Sequence, residues 1–282
     1  MIYKNHETNE NYSKMTMRQL QQVWADLLGK PIGDRYLLSQ SVKIAKGSKK
    51  GFETGVAYMP ANKKFDGGHT CSDEKKAGCG DNCLVYTGHM ALPNGVMARE
   101  DRFVLFLKDP ALFFEILKRE ILKQERRARK KGFLSAGRMN GTTDLDWTRI
   151  LFDGRTVFEH FPQTTWYDYT KNPNLARNYL NHGIDVTLSW YKRLDTSVAL
   201  ELLDQGANLA IAYYDRLPEF QVMGDRKVQV IDGDETDLRF LDPRGVIVGL
   251  KFKTATMHAE ASERNSRALE SGFIIESNHV IV

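Results

Sequence analysis

The stretch QTTWYDYTKNPNLARNYLNHGIDVTLSWY, residues 163–191, decides how the chain is read. Its two ends, Gln163–Thr170 and Asp185–Tyr191, carry the β-branched and aromatic residues of strands. Between them Pro173–His182 reads as a helix. Strand, helix, strand at this length is a β/α/β unit, and such a crossover makes its two strands parallel.

The same rhythm continues outward. Strand character recurs at Gly51–Pro60, Phe133–Gly141, Asn208–Asp215, Lys227–Asp232 and Gly245–Lys253. Helical segments are expected at Asp146–Glu159 and Thr196–Gln205, and a helix over Met15–Leu28 stops at Gly29-Lys30-Pro31. Asp101–Lys131 is helical with a break at Asp109-Pro110. Leu112, Phe113, Ile116, Leu117, Ile121 and Leu122 then form an apolar stripe that Gly132 closes. The expected fold is therefore α/β: a complete or partial parallel β/α barrel of about six strands with an N-terminal helical extension. Residues 1–40 would be a loose tail and a helix, and 41–282 a single barrel-like domain.

Composition sets limits. Of the 282 residues 41% are hydrophobic, enough for a sizeable core, and no apolar run approaches the roughly 20 residues of a membrane span. The opening MIYKNHETNENYSK is polar and mixed in charge, unlike a secretory signal. Three cysteines, an odd number, argue against a disulfide framework and for a reducing cytoplasm. No Gly-x-Ser-x-Gly, Walker-type, His-Glu-x-x-His or Gly-x-Gly-x-x-Gly motif occurs, which removes support from the common hydrolases, P-loop enzymes, zincins and dinucleotide folds.

Three features carry chemistry. All three cysteines fall in CSDEKKAGCGDNC, residues 71–83, on a loop after the first barrel strand. Cys71, Cys79 and Cys83 suit zinc, with His69 or His89 as a fourth ligand, or an iron–sulfur cluster; a loop of thiols without metal is the plain alternative. Polar residues gather where strands end: Arg138, Asn140, Asp144, Asp168, Lys171 and Asn172 among them. Chemistry in β/α folds sits there, with Asp144 and Asp168 suited to orient substrate or move a proton, and Arg138 and Lys171 to hold an anion. Capping and turn formation explain each of these singly just as well. Lastly, eight basic residues lie between Lys118 and Lys131, and Arg126, Arg127, Arg129, Lys130 and Lys131 have no interleaved acid. That run is either the solvated end of a helix or a contact for nucleic acid, as in replication or regulation with a structural zinc.

Several segments together, CGDNCLVYTGHM, NGVMARE, GRMNGTTDLDW, FPQTTWYDYTKNPN, VTLSWY and VIDGDETDLRFLDPRGVIVGLKFK, resemble the phage gene product 88 family over roughly residues 40–275. The resemblance implies a phage or plasmid protein of a bacterial host's cytoplasm, with no settled activity. A cysteine loop ahead of β/α units is also similar to the radical S-adenosylmethionine superfamily. There three cysteines hold a [4Fe–4S] cluster whose open iron takes S-adenosylmethionine, roles that would fall to Cys71, Cys79 and Cys83. Gaps of seven and three residues between the cysteines depart from that superfamily's pattern, and the Gly-Gly-Glu segment is absent. A degenerate barrel acting as an interaction protein is the third reading.

Overall fold

The computed structural model describes residues 2–33, 35–39, 46–66, 68–79, 83, 85, 88–252, 266 and 268–282. In chain order its elements are α1 (Met17–Leu28), β1 (Leu38–Ser39), β2 (Phe52–Ala57), α2 (Glu74–Ala77), α3 (Pro93–Lys108), α4 (Pro110–Lys130), β3 (Leu134–Arg138) and β4 (Thr164–Thr170). They continue with α5 (Pro173–Asn181), β5 (Asp185–Ser189), α6 (Thr196–Asp204), β6 (Asn208–Tyr213), β7 (Phe220–Met223), β8 (Arg226–Asp232) and β9 (Ile247–Lys251). Among the described residues no helix is long and apolar enough to cross a membrane.

Nine strands are hydrogen-bonded in the order β1-β2-β3-β4-β5-β6-β9-β8-β7. Neighbours are parallel throughout except at the two edges, where β1 and β7 run antiparallel to β2 and β8. Strands β2 to β6 lie side by side in sequence order, as successive β/α units place them. The sheet is mostly parallel with helices between its strands, as expected; among the described residues its pairing stops at β1 and β7 and no closed barrel is detected. Antiparallel strands cap both ends of the parallel series, and neither had a signal in the sequence long enough to read.

The chain divides into two compact units, residues 1–70 with 88–166 and residues 71–87 with 167–282. Strand β4 gives Thr164–Trp166 to the first and Tyr167–Thr170 to the second.

In the first unit, α1 opens on a capping box between Thr16 and Gln19 and ends at Gly29 with φ 65°. Asp109 accepts from the Leu112 amide at 2.9 Å and Pro110 takes the first position of α4, which separates α3 from α4 as the sequence implied. The stripe Phe113, Ile116, Leu117 and Ile121 is buried, and Phe106, Phe113 and Trp147 stack beside it. Gly137 in β3 lies under Trp166: a Cβ there would meet the indole at 2.4 Å. Two buried ionisable side chains fasten the edge strand. Glu120 accepts from the amides of Leu37 (3.0 Å) and Leu38 (2.7 Å), and Arg102 donates to Tyr36, Tyr58 and Ser39. Burial pushes the Glu120 carboxyl up to about 7, against the pull of those amides and of Arg102.

Two expectations for this unit are corrected. Asp146–Glu159 is not a helix. Asp153 (φ 48°) and Gly154 (φ 78°) turn a hairpin between Leu151–Phe152 and Arg155–Thr156, leaving helix only at Val157–His160. Positive φ at both central residues is what an Asp-Gly hairpin turn requires. The N-terminal residues expected to be a loose tail are also ordered: Asn5–His6 pairs with Leu151–Phe152, and Glu10–Lys14 is helical.

In the second unit Leu188, Leu209, Ile211, Ile247 and Val248 fill the sheet core, and Tyr167 meets Phe240 edge to face. These strands read as near-continuous apolar runs, as parallel strands covered on both faces do.

Candidate metal centre and strand-end site

The cysteine loop belongs to the second unit. Cys71, Cys79 and Cys83 are each half-buried. Four of the seven residues between Cys71 and Cys79 form α2, and the two cysteines are tied to one residue of it. The Glu74 amide donates to the Cys71 carbonyl at 3.3 Å, and the Cys79 amide donates to the Glu74 carbonyl at 3.4 Å. Gly78, at φ 62°, ends the turn as only glycine does cheaply. A gap that looks too wide in sequence is thus folded back on itself. Residues 80–82 lie outside the described residues. Among those described, no three His, Cys, Asp or Glu side chains form a ready metal group.

Within its unit the loop docks at the carboxyl ends of β4 and β5. The Asn172 side-chain amide donates to Ser72 Oγ at 3.3 Å, while its Oδ1 caps α5 by accepting from the Asn174 and Leu175 amides. The Lys76 ammonium sits over the Tyr191 ring at 5.9 Å, and Lys171 reaches the same ring at 5.8 Å and that of Phe273 at 5.2 Å. Lys171 also donates to the Trp190 carbonyl at 3.4 Å. Tyr191 is fully buried at the centre of this arrangement, and burial raises its phenol pKa although Lys76 opposes the shift. Next to it, Trp190, Lys192, Gly272, Ile274 and His279 line a half-open cavity of about 210 Å³. Lys76, Tyr191 and Phe273 escaped the sequence reading, because an aromatic at a strand end looks like core and a lysine in DEKK looks solvated.

The other expected residues are placed as follows. Asp168 is 2% exposed and lies inside β4 opposite Val186, two residues short of the strand end where it was expected; its Oδ1 accepts from the Tyr169 amide. Arg138, Asn140 and Asp144 belong to the first unit. Arg138 closes β3 opposite Val56, half-buried. Asn140 holds its own loop, accepting from Leu145 and Thr143 and donating to the Leu145 carbonyl. The Asp144 amide donates to the Thr70 carbonyl at 2.6 Å, within the first unit. His69 is half-buried in a two-residue strand of the first unit, and the His89 side chain lies outside the described residues.

The family model for Gene product 88 matches residues 36–275. This chain belongs to the Gene product 88 family. No curated protein and no solved structure gives a significant match to this Gene product 88 chain. The matched span takes in the cysteine loop, both strand ends described above, and all of α4. Arg126, Arg127, Arg129, Lys130 and Lys131, at the end of that helix, are exposed. Arg127 and Lys131 pair with Glu53, and Arg129 donates to Gln163 at 3.5 Å.

Proposed function

We propose that this phage-family protein is an enzyme whose cysteine loop holds an iron–sulfur cluster and whose strand ends hold S-adenosylmethionine and a substrate. The observation that carries the reading is the loop's placement: it follows the first of the parallel strands and is pinned, within its unit, to the carboxyl ends of β4 and β5. In sheets of successive β/α units, ligands bind at that end. Cys71, Cys79 and Cys83, all half-buried on one loop, would hold the cluster.

A cluster with one open iron would supply an electron to the sulfonium of S-adenosylmethionine. The chain's own residues would do the rest. Lys171, held against two rings and a carbonyl, offers a fixed cation to a carboxylate, and Asn172 fixes the loop through Ser72. Asp168, buried in β4, would orient the substrate from below.

The test is S-adenosylmethionine binding by calorimetry on protein reconstituted with iron and sulfide under anaerobic conditions. The account expects one site per chain in the wild type and none in the Cys71→Ala/Cys79→Ala/Cys83→Ala variant. Equal binding by both proteins would sink it.

A further inference from the structure

The first unit carries a second feature that the enzyme reading does not use. Strands β2 and β3 are parallel neighbours that start together, Phe52 opposite Leu134, with the Leu134 amide donating to the Gly51 carbonyl at 2.9 Å. What enters each strand is basic. A 3₁₀ turn, Lys46–Lys50, leads through Gly51 (φ 80°) into β2, and the end of α4 leads through Gly132 (φ 67°) into β3. The pairing therefore brings the turn that carries Lys49 and Lys50 and the helix end that carries Arg126, Arg127, Arg129, Lys130 and Lys131, distant in sequence, to the same end of these two strands.

All seven side chains are exposed. The carboxylates bonded at this end are Glu53, which takes Arg127 and Lys131, and Glu125, which accepts from Thr164. Seven cations against two carboxylates exceed the net charge of +4 carried by the whole chain. The helix dipole favours cations on the last turn of α4, but it gives no reason for Lys49 and Lys50 to join them.

From this geometry we infer that the amino ends of β2 and β3 form a docking surface for the phosphate backbone of double-stranded nucleic acid. Exposed cations from two elements suit a line of phosphates, which carry one charge per about 1.7 Å of duplex. No exposed aromatic stands among the described residues of this surface, since Phe133 is half-buried beneath Lys131 at 6.0 Å. Base stacking, the usual hold on single strands, is therefore not provided, and binding is to the backbone and indifferent to sequence. A membrane surface fits less well: the apolar face of α4 is buried in its own unit and cannot enter lipid.

The test is fluorescence anisotropy of a short labelled duplex DNA with the full-length protein over a salt series. Two variants are compared, Lys49→Ala/Lys50→Ala and Arg126→Ala/Arg129→Ala/Lys130→Ala; both spare the cations that pair with Glu53. Each should weaken binding by about tenfold or more near 0.1 M salt and flatten the log–log salt slope by about 0.9 for every phosphate no longer neutralised. A control, Lys14→Ala/Lys108→Ala, should bind as the wild type does. The proposal is overturned by no wild-type binding at low salt, by indifference to Lys49 and Lys50, or by an equal weakening in the control. Preference for single strands, or binding to phosphatidylglycerol vesicles in place of duplex, would overturn it too.

Discussion

Lysines at the carboxyl ends of β4 and β5 and cations at the amino ends of β2 and β3 are used in opposite ways. In the second unit Lys76 and Lys171 lie against the buried Tyr191 ring, and Lys171 adds Phe273 and the Trp190 carbonyl. In the first unit Lys49, Lys50, Arg126 and Lys130 face water on the outside of a turn and a helix end. A half-buried cation set over aromatic rings, as Lys171 is, contributes up to about 2 kcal/mol and is screened little by salt, whereas the exposed Lys76 gains less from its ring. A solvated one contributes almost nothing to the fold and is left for a partner. Charge in a sequence therefore says little until the neighbours of each charge are known.

The largest effect should come from the centre of the first arrangement. Tyr191→Ala removes a fully buried ring and the surface beneath two lysines, and should cost about 3–5 kcal/mol in a denaturant titration. A change under about 1 kcal/mol, the centre of the range for ordinary substitutions, would mean that Tyr191 does not organise the strand-end site.

A second effect is pH-dependent and belongs to the first unit. Folding raises the Glu120 carboxyl from 4.5 to about 7. Between those values the unfolded chain has released its proton while the folded chain keeps it, so rising pH favours unfolding. The stabilisation is complete below about pH 4.5, fades through the window and is gone above about 7, on the order of 3 kcal/mol in all. The difference in stability between wild type and Glu120→Gln, measured from about pH 4 to 8, should follow that fall. A flat difference would show that Glu120 ionises normally in the fold.

Lys171→Ala should cost about 1–2 kcal/mol, nearly the same in low and high salt, because its hold on two rings and a carbonyl goes all at once. Lys130→Ala should stay within about 0.5 kcal/mol of the wild type. If the two substitutions behaved alike, the contrast drawn between the two regions would fail.

The β/α rhythm was legible because β4, α5, β5, α6 and β6 each carry their own signal of length, composition and capping. The edges were not. Strands Leu38–Ser39 and Phe220–Met223 are too short to show alternation, and β1 is held by Glu120, far along the chain. Asp146–Glu159 misled because its apolar residues pack a hairpin, although Asp153-Gly154 was the sign of one. The cysteines were legible as a group, but the tie of Cys71 and Cys79 to Glu74 depends on a helical turn inside the gap. The union of Lys49 and Lys50 with the end of α4 is written only in the register of β2 on β3.

The measurement that bears most directly on the central claim is metal content after anaerobic purification, with an absorbance spectrum and assays for iron, sulfide and zinc. The protein should be brown, with iron and sulfide in nearly equal amounts, both absent when Cys71, Cys79 and Cys83 are replaced by alanine. Colourless protein holding one zinc, or taking up no metal on reconstitution, would contradict it.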